Sequence, residues 1–411
     1  MKTLHIIPDE KFIDGVINSF AALGEESRFL MFVRQEKQLV FIRQKDKIDQ
    51  IVVESEQYHS LTRTDWPDLI WIHFLDDTNA NFISDYAGRA KIVWSAWGGD
   101  YHKLLHKPIL SPRTLWALFK LNVHAVGHWL ALRRALGALR RAAFYYLGLV
   151  RNHLPATMAN ALKKISFFST VIPEEEPLIR MLVGQTPTKI DFVYSDPNNR
   201  NRKSSYACCY ASRPTDENGV NVWVGNSAFL TNNTFDVIHQ LAKADRVNKV
   251  YAPLSYGDRD SAVLIDQYGR QTFGDRWMPI FEFMERDAYF RTMSTCLVFA
   301  FGHIRQQAVG NVCAALLAGG CVFMHPRSPL YVHLRNVGFR VYRLQELSRL
   351  RAALEDFVSY RESNMAIAKQ RYEQMDPVRT LPETMQKLAV CMDPEGGRPS
   401  REEHAAKEAG K

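Results

Sequence analysis

The chain has 411 residues, 46% of them hydrophobic and 23% charged, with a formal net charge of +8. This length exceeds a single ordinary core and predicts two domains, and the composition excludes a disordered or fibrous protein. The six cysteines form no CxxC pair and show no metal-ligand spacing, which predicts reduced thiols and a cytoplasmic setting. Met1 leads directly into an apolar strand, so we expect no signal peptide.

The first half of the chain alternates short apolar runs with helical patterns. Strands are expected at Leu4–Ile7, Arg28–Val33, Ile51–Val53, Asp68–Phe74, Lys91–Trp97, Ser166–Ile172 and Lys189–Tyr194, and helices near Glu10–Leu23 and Asn79–Ala87. Alternation of this kind is typical of a parallel, doubly wound sheet, and it predicts an N-terminal Rossmann-like domain over residues 1–195.

The fifth predicted strand runs into a short loop, Trp97-Gly98-Gly99-Asp100. A glycine pair after a strand permits close approach of a ligand to the backbone. Asp100 would lie at the carboxyl edge of the sheet, either as the N-cap of the next helix or as a catalytic base. Both roles remain open for this residue.

A basic segment interrupts the first domain. Residues 101–173 contain no Asp or Glu and eleven Lys or Arg. Apolar residues from Leu132 to Val150 recur at helical spacing, and two arginine pairs seven residues apart share a flank of that helix, namely Arg133 with Arg134 and Arg140 with Arg141. We predict a helical insertion at 101–165 that lies on an anionic membrane surface. The alternatives are a core helix with a solvated basic face and, less favoured by a leucine-rich helix, nucleic-acid binding.

A polar, turn-rich stretch at 196–219 predicts a linker, after which the alternation restarts. Strands are expected at Asn221–Val224, Val247–Ala252 and Trp277–Ile280, and helices near Asn232–Ala244, Ser261–Tyr268 and Arg286–Met293. These elements predict a second Rossmann-like domain at 220–346. A charged helix at Leu347–Tyr372 and another near Leu381–Val390 belong to C-terminal helices at 347–392, and 393–411 is expected to be a disordered tail.

The clearest unit of the second half lies between Cys296 and Pro326. Apolar runs at Cys296–Phe301 and Cys321–His325 flank a helical pattern at Val309–Ala318, and a polar loop carries Arg305 to the start of that helix. The start of a helix favours an anion, and ligands of open α/β sheets bind beyond the carboxyl ends of the strands. The segment therefore predicts an anion site, with an ordinary crossover and a solvated arginine as the alternative.

Two doubly wound domains that face each other across a cleft resemble the GT-B glycosyltransferases. Four segments narrow the resemblance to the TDP-N-acetylfucosamine:lipid II N-acetylfucosaminyltransferase (4-alpha-L-fucosyltransferase) family. These are Trp94–Tyr101, Val224–Ser227, Pro253–Gly257, and Arg305-Gln306-Gln307 with Gly310. The resemblance implies transfer of an amino-deoxy sugar from a dTDP-sugar to an undecaprenyl-diphosphate-linked glycan of a cell-surface polysaccharide. It also implies a peripheral protein on the cytoplasmic face of the bacterial inner membrane.

Each predicted site residue receives a role on this basis. Asp100 and Arg305 are the catalytic candidates, as base and as stabiliser of the leaving diphosphate. The candidates for donor binding are Gly225, Asn226, Ser227, Tyr256, Gln306, Gln307, Gly310 and Asn311. Trp97, Gly98 and Gly99 would contact the acceptor, and the membrane would be contacted by Arg133, Arg134, Arg140 and Arg141. We expect no metal, because Asp258-Arg259-Asp260 is interpreted as a solvated turn and helix start.

Two alternatives remain at this point. The chain could be a GT-B glycosyltransferase that uses a UDP- or GDP-sugar for lipopolysaccharide or exopolysaccharide. It could also be an inactive GT-B module that serves as a scaffold at the membrane. Nucleotide binding separates the two classes, because a scaffold would not be stabilised by dTDP, UDP or GDP.

Overall fold

The computed structural model describes residues 1–105, 108–122, 154–192, 194, 219–374 and 377–392. The strands in these ranges are β1 (Lys2–Ile6), β2 (Glu26–Val33), β3 (Ile48–Val52), β4 (Leu69–Ile72), β5 (Lys91–Ala96), β6 (Ile165–Thr170), β7 (Thr188–Lys189), β8 (Val220–Val224), β9 (Val247–Pro253), β10 (Trp277–Ile280), β11 (Val298–Phe301), β12 (Cys321–Met324) and β13 (Tyr342–Arg343). The α-helices are α1 (Ile13–Leu23), α2 (Glu56–Leu61), α3 (Asp77–Asp85), α4 (Gly98–Leu104), α5 (Pro112–Asn122), α6 (Ala156–Lys164), α7 (Glu176–Val183), α8 (Thr234–Leu241), α9 (Arg259–Phe273), α10 (Arg286–Ser294), α11 (Val309–Leu317), α12 (Pro329–Val337), α13 (Leu350–Val358), α14 (Arg361–Gln374) and α15 (Pro377–Met392).

The first sheet contains seven parallel strands in the order β3-β2-β1-β4-β5-β6-β7. Strand order reverses between β1 and β4, as in doubly wound folds. All four residues of β4 are buried, because helices cover both faces of the sheet. The first six predicted strands of the first half are thus confirmed, with ends that shift by a few residues. The seventh, predicted at Lys189–Tyr194, is wrong beyond its first residue, because β7 covers only Thr188–Lys189.

The second sheet has six parallel strands in the order β10-β9-β8-β11-β12-β13. Its order reverses between β8 and β11. The predicted strand–loop–helix–strand unit is confirmed as β11–α11–β12, in which every residue of both strands is buried. Residues 302–307, here called the 302–307 loop, therefore follow the carboxyl end of a central strand.

Two helices cross from one domain to the other. Helix α5 follows the first domain's β5 and α4 in the chain, but its Ala117 belongs to the core of the second domain. Helix α15 returns to the first domain, where Leu381, Met385 and Leu388 join the core around α1. The Thr384 hydroxyl donates to the Asp191 carbonyl oxygen at 2.5 Å. The two domains are therefore tied by contacts as well as by the chain between them.

The C-terminal helices differ from the expected pattern. The single helix predicted at Leu347–Tyr372 is wrong: a 3-10 turn at Leu344–Arg349 precedes α13, and α14 follows as a separate helix. The buried residues of α13, namely Leu350, Ala353 and Phe357, pack on the core of the second domain, and this packing divides the charged run into separate helices. Helix α2 was not predicted, since six residues are too few to show a helical period.

Some predictions lie outside the described residues. They include the four arginines that were predicted to bind the membrane, Arg133, Arg134, Arg140 and Arg141. The tail at 393–411 and the linker at 196–219, except Gly219, also lie outside these ranges. Membrane binding by the four arginines therefore stays a prediction.

The strands of the two sheets occupy 2–189 and 220–343. Among the helices of the described part of the chain, none is long and apolar enough to cross a membrane.

Candidate active site

The carboxyl edges of the two sheets face each other, and loops from both domains meet between them. The Gly98 amide, at the start of α4, donates to Gln306 Oε1 of the 302–307 loop at 3.0 Å. The Tyr256 hydroxyl, after β9, donates to Glu10 Oε1, after β1, at 3.0 Å. These contacts define one interdomain site at the strand ends, where ligands of such sheets bind.

Gly98 makes the closest approach between the domains possible. A Cβ at this position would lie 2.2 Å from the Gln306 carbonyl oxygen, a distance that only glycine avoids. A Cβ on Gly99 would lie 3.4 Å from the Phe74 ring and 4.0 Å from Arg305 Nη1. The glycine pair was predicted to admit a ligand, but in this structure Gly98 admits the backbone of the second domain.

Asp100 lies within the first turn of α4, and its side chain is buried. The N-cap of α4 is Trp97, so the alternative that Asp100 caps this helix is wrong. Asp100 Oδ2 accepts the Trp94 indole N–H at 3.0 Å and the Leu75 amide at 3.3 Å. Burial raises the pKa of Asp100 to about 7. The hydrogen bonds lower it, because they favour the charged form, but burial has the larger effect. A carboxyl group titrating near neutrality suits a general base.

Arg305 reaches from the second domain toward Asp100. Its Nη1 donates to the Gln306 carbonyl oxygen at 3.1 Å, and its Nη2 lies 3.5 Å from Thr231 Oγ1. Burial lowers the pKa of Arg305 to about 10, while the carboxyl groups of Asp100 and Glu175 raise it. The guanidinium therefore stays charged at neutral pH. The structure brings together the two residues that were predicted to be catalytic.

Glu175 is a residue of this site that sequence reasoning missed. It ends a 3-10 turn, Pro173–Glu175, that follows β6 at the same sheet edge. Its side chain is fully buried, and Oε1 accepts a hydrogen bond from the Tyr101 hydroxyl. Burial raises the pKa of Glu175 well above its usual value, and the charge of Asp100 adds to this. The sequence did contain a signal for it. Three glutamates follow the predicted strand Ser166–Ile172, and they are the first acidic residues after the acid-free stretch at 101–173.

The Gly225–Ser227 loop packs against the 302–307 loop. Asn226 Oδ1 accepts from Gln307 Nε2 at 3.2 Å, so these two predicted donor-binding residues are neighbours. The Gly225 amide donates to the Ala300 carbonyl oxygen, and the Ser227 hydroxyl accepts from Asn232 Nδ2 at 2.8 Å. These bonds hold the loop together, and donor binding by Gly225 and Ser227 stays a prediction.

Tyr256 closes one side of the cleft. Besides its bond to Glu10, its ring packs edge-on against Phe41 of the first domain and Phe229 of the second, with centroids 5.8 and 5.4 Å apart. Burial raises the pKa of Tyr256, so the hydroxyl remains a donor at neutral pH. Glu10, whose pKa burial also raises, is a second cleft residue that the sequence did not single out.

The start of α11 is open on one side. Gly310 is exposed, and a Cβ there would meet no atom within 4 Å. Asn311 instead contacts α10, where its Nδ2 donates to the Tyr289 hydroxyl at 2.8 Å. Of the two donor-binding candidates on this helix, Gly310 borders free space and Asn311 is engaged within its own domain.

Several buried polar atoms around the second sheet's carboxyl edge have no partner among the described residues. They are both ring nitrogens of His303, Asn232 Oδ1 and Ser328 Oγ. Burial lowers the pKa of His303 to about 3, so this imidazole is neutral at physiological pH. Buried polar groups without a hydrogen-bond partner are costly and uncommon, and three of the described residues near this sheet edge carry them.

In the described ranges, no three His, Cys, Asp or Glu side chains lie close enough together to hold a metal ion. Asp258 is the N-cap of α9, and its Oδ2 accepts the Ser261 amide at 2.8 Å. The interpretation of Asp258–Asp260 as a turn and helix start is therefore confirmed. Independence from metals remains a prediction.

Solved glycosyltransferase structures share this architecture. HepE from Anabaena, in complex with UDP-glucose, superposes with a TM-score of 0.58 at 14% identity, over 95% of this chain and 100% of HepE. Sucrose-phosphate synthase from Thermosynechococcus elongatus has a TM-score of 0.59 at 9% identity, over 95% of this chain and 98% of the synthase. The lipopolysaccharide outer core galactosyltransferase WaaB has a TM-score of 0.57 at 9% identity, over 94% of this chain and 99% of WaaB. No protein-family model and no curated protein matches the sequence.

The predicted fold class is confirmed by these similarities. The chain has the GT-B fold, with two Rossmann-like α/β domains that face each other across a cleft. Identities of 9–14% establish the fold alone, so the activity has to be argued from the residues of the cleft.

Proposed function

We propose that the protein is a glycosyltransferase that moves a sugar from a nucleoside diphosphate donor to a hydroxyl of an acceptor. The observation that carries this proposal is the meeting of Asp100 and Arg305 from opposite domains at the strand ends of a GT-B cleft. A base on one side and a cation on the other are what sugar transfer requires, since the acceptor loses a proton and the donor releases a diphosphate.

In the proposed reaction, the Asp100 carboxylate takes the proton of the acceptor hydroxyl as the oxygen attacks the anomeric carbon. The bond from that carbon to the donor's diphosphate breaks, and the leaving group carries away the electron pair. Arg305 and the backbone amides at the start of α11 would face the charge that develops there. Gln306, Gln307 and Asn226, which lie in the loops that meet at the cleft, would orient the sugar and the diphosphate.

The finer proposal concerns the substrates. The resemblance at Trp94–Tyr101 and Arg305–Gln307 supports a dTDP-linked amino-deoxy sugar such as N-acetylfucosamine, and an undecaprenyl-diphosphate-linked acceptor at the inner membrane. The acid-free basic stretch at 101–173 supports the same acceptor, because both a lipid diphosphate and an anionic bilayer attract Lys and Arg. A UDP-sugar is the second candidate, favoured by the similarity to HepE, which was solved with UDP-glucose.

Nucleotide binding and turnover test both levels of the proposal. We expect one of dTDP, UDP and GDP to raise the melting temperature clearly more than the other two do. At one hundred times its Kd, the bound nucleotide adds about 2.7 kcal/mol to the free energy of unfolding. The matching nucleotide sugar should then be consumed, with its sugar recovered on a polyprenyl-diphosphate acceptor. Binding of no nucleotide would contradict glycosyl transfer, and a preference for UDP would contradict only the dTDP proposal.

A further inference from the structure

Among the described residues, one carboxyl oxygen of Glu175 in the cleft is hydrogen-bonded and the other is not. Its Oε1 accepts from the Tyr101 hydroxyl on α4, the helix that carries Asp100. Its Oε2 is buried and has no hydrogen-bond partner in the described part of the chain. The neighbouring Glu174 carboxylate accepts hydrogen bonds from His333 Nδ1 at 2.7 Å and from Asn336 Nδ2 at 3.0 Å, both on α12 of the second domain. The 173–175 turn thus contacts both the helix of the base and the opposite domain.

The charges around Glu175 do not balance if both carboxyl groups are ionised. Asp100 and Glu175 both interact electrostatically with Arg305, which among the described residues is the one cation that acts on Glu175. The other titratable groups around this cluster include Tyr101 and His102, whose rings pack 4.5 Å apart. They also include Glu174 with His333, Tyr194 beside Asp100, and Tyr256 and His303 beside Arg305. The cluster of Arg305, Asp100 and Glu175 has no net charge when one of its two carboxyl groups is protonated. Burial and the Asp100 charge both place that proton on Glu175.

We propose that Glu175 is a positioning residue that works in its protonated form. Its neutral carboxyl group holds the Tyr101 hydroxyl and, through α4, the orientation of the Asp100 carboxylate. Because it adds no negative charge, Arg305 keeps its positive charge available for the donor's diphosphate. An ionised Glu175 would compete with that diphosphate for Arg305 and repel it. This inference rests on the proposed function, since it assigns Asp100 and Arg305 their roles in sugar transfer.

The matched variants are Glu175→Gln, Glu175→Ala and Tyr101→Phe. Glutamine is neutral at every pH and keeps an oxygen that accepts from Tyr101, so we expect kcat within about threefold of the wild type at pH 7. Alanine and Tyr101→Phe each break the contact to α4. They should lower kcat about tenfold or more with little change in the donor's KM, as expected for a misplaced base. Circular dichroism checks that each variant is folded.

A pH profile distinguishes this role from a purely structural one. As pH rises and Glu175 loses its proton, wild-type activity should fall, and Glu175→Gln should keep its activity over the same range. Glu175→Gln as inactive as Glu175→Ala would overturn the proposal, because it would show that the ionised carboxylate is needed. The proposal would also be overturned if the activity of Glu175→Gln fell at alkaline pH in the same way as that of the wild type.

Infrared spectroscopy keeps the test independent of turnover. At about pH 8, where Asp100 with its pKa of about 7 is mostly ionised, the difference spectrum between the wild type and Glu175→Gln should contain the carbonyl band of one protonated carboxyl group. If no nucleotide sugar is consumed by the wild type, the proposed function fails while this band still reports the state of Glu175. Absence of any difference between the two spectra would overturn the protonated form directly.

Discussion

Two of the contacts between the domains are built in opposite ways. Where α5 lies against α8, the Ser111 and Thr114 hydroxyls both donate to the Asp236 carboxylate, and the Ser111 amide donates to Asn233 Oδ1 at 2.8 Å. Asn233 Nδ2 donates in turn to the Ile109 and Gly302 carbonyl oxygens, each at 3.0 Å. We call this contact the α5 seam. Its polar side chains, Ser111, Thr114, Asn233 and Asp236, are hydrogen-bonded to other groups of the protein.

The cleft contact differs in what it leaves unpaired. Asp100, Glu175 and Arg305 interact electrostatically, but Glu175 Oε2 and both His303 nitrogens have no hydrogen-bond partner in the residues that the structure describes. Paired polar groups at the seam stabilise the contact, whereas under the proposed function the unpaired groups of the cleft serve binding and catalysis. The comparison predicts that substitutions at the cleft reduce activity and that substitutions at the seam reduce stability.

The largest effect is expected from Arg305→Ala. If Arg305 stabilises the leaving diphosphate, kcat should fall about a hundredfold to a thousandfold, which is the typical loss when one preorganised donor is removed from a site of developing charge. Arg305→Lys should recover part of the activity, because the charge returns without the two-pronged geometry. Arg259, an exposed arginine at the start of α9, provides the control. A kcat for Arg305→Ala that equals that of Arg259→Ala would remove Arg305 from the mechanism.

Asp100→Asn should lower kcat about a hundredfold or more, since a positioned base contributes factors of this size. In the wild type the active form of Asp100 is the ionised one, and burial raises its pKa to about 7. Activity should therefore be lost as pH falls through 7, by about tenfold per unit once Asp100 is mostly protonated, and the separate fall at alkaline pH belongs to Glu175. The measurement is the pH dependence of kcat/KM. Full activity of Asp100→Asn, or a wild-type profile that is flat from about pH 5 to 8, would refute the assignment of the base.

Gly98→Ala tests the close approach at the cleft. The added Cβ would lie 2.2 Å from the Gln306 carbonyl oxygen, so the two loops must separate. We expect kcat to fall about tenfold, because small misplacements of reacting groups are costly, and small-angle scattering should show a slightly larger radius of gyration. At Gly99 the nearest atom to an added Cβ is in the Phe74 ring at 3.4 Å, so Gly99→Ala should leave the radius unchanged. Equal radii for the two variants would argue against a closed cleft.

Asp236→Ala addresses the α5 seam and should affect stability instead of chemistry. It leaves the Ser111 and Thr114 hydroxyls without their acceptor, at a cost of about 1–3 kcal/mol in the free energy of unfolding. Urea unfolding measures the loss, and Asp260→Ala, at an exposed position near the start of α9, is the control. The kcat of the folded fraction should stay within about twofold of the wild type, since the seam leaves the cleft residues in place. A large loss of kcat with unchanged stability would reverse the comparison.

The accuracy of the sequence interpretation differed between local and long-range features. Short apolar runs such as Leu69–Ile72 and Val298–Phe301 predicted central strands, because strands covered on both faces must be apolar throughout. The position of Asp100 and Arg305 after such strands was enough to place both at the carboxyl edges of their sheets. By contrast, Glu175 lies in a run of three glutamates, and nothing local in the sequence shows that this side chain is buried.

The sequence by itself therefore determined the two parallel sheets, the loops that follow their strands, and the class of residue available at each loop. These follow from periodicity and turn chemistry, which act over a few neighbouring residues. Only the tertiary structure decided that α5 packs into the second domain, that α15 returns to the first, and that Glu175 joins Asp100 and Arg305. Such contacts depend on which surfaces meet across the cleft, and burial there changes the charge of a carboxyl group in a way that its neighbours in the chain do not reveal.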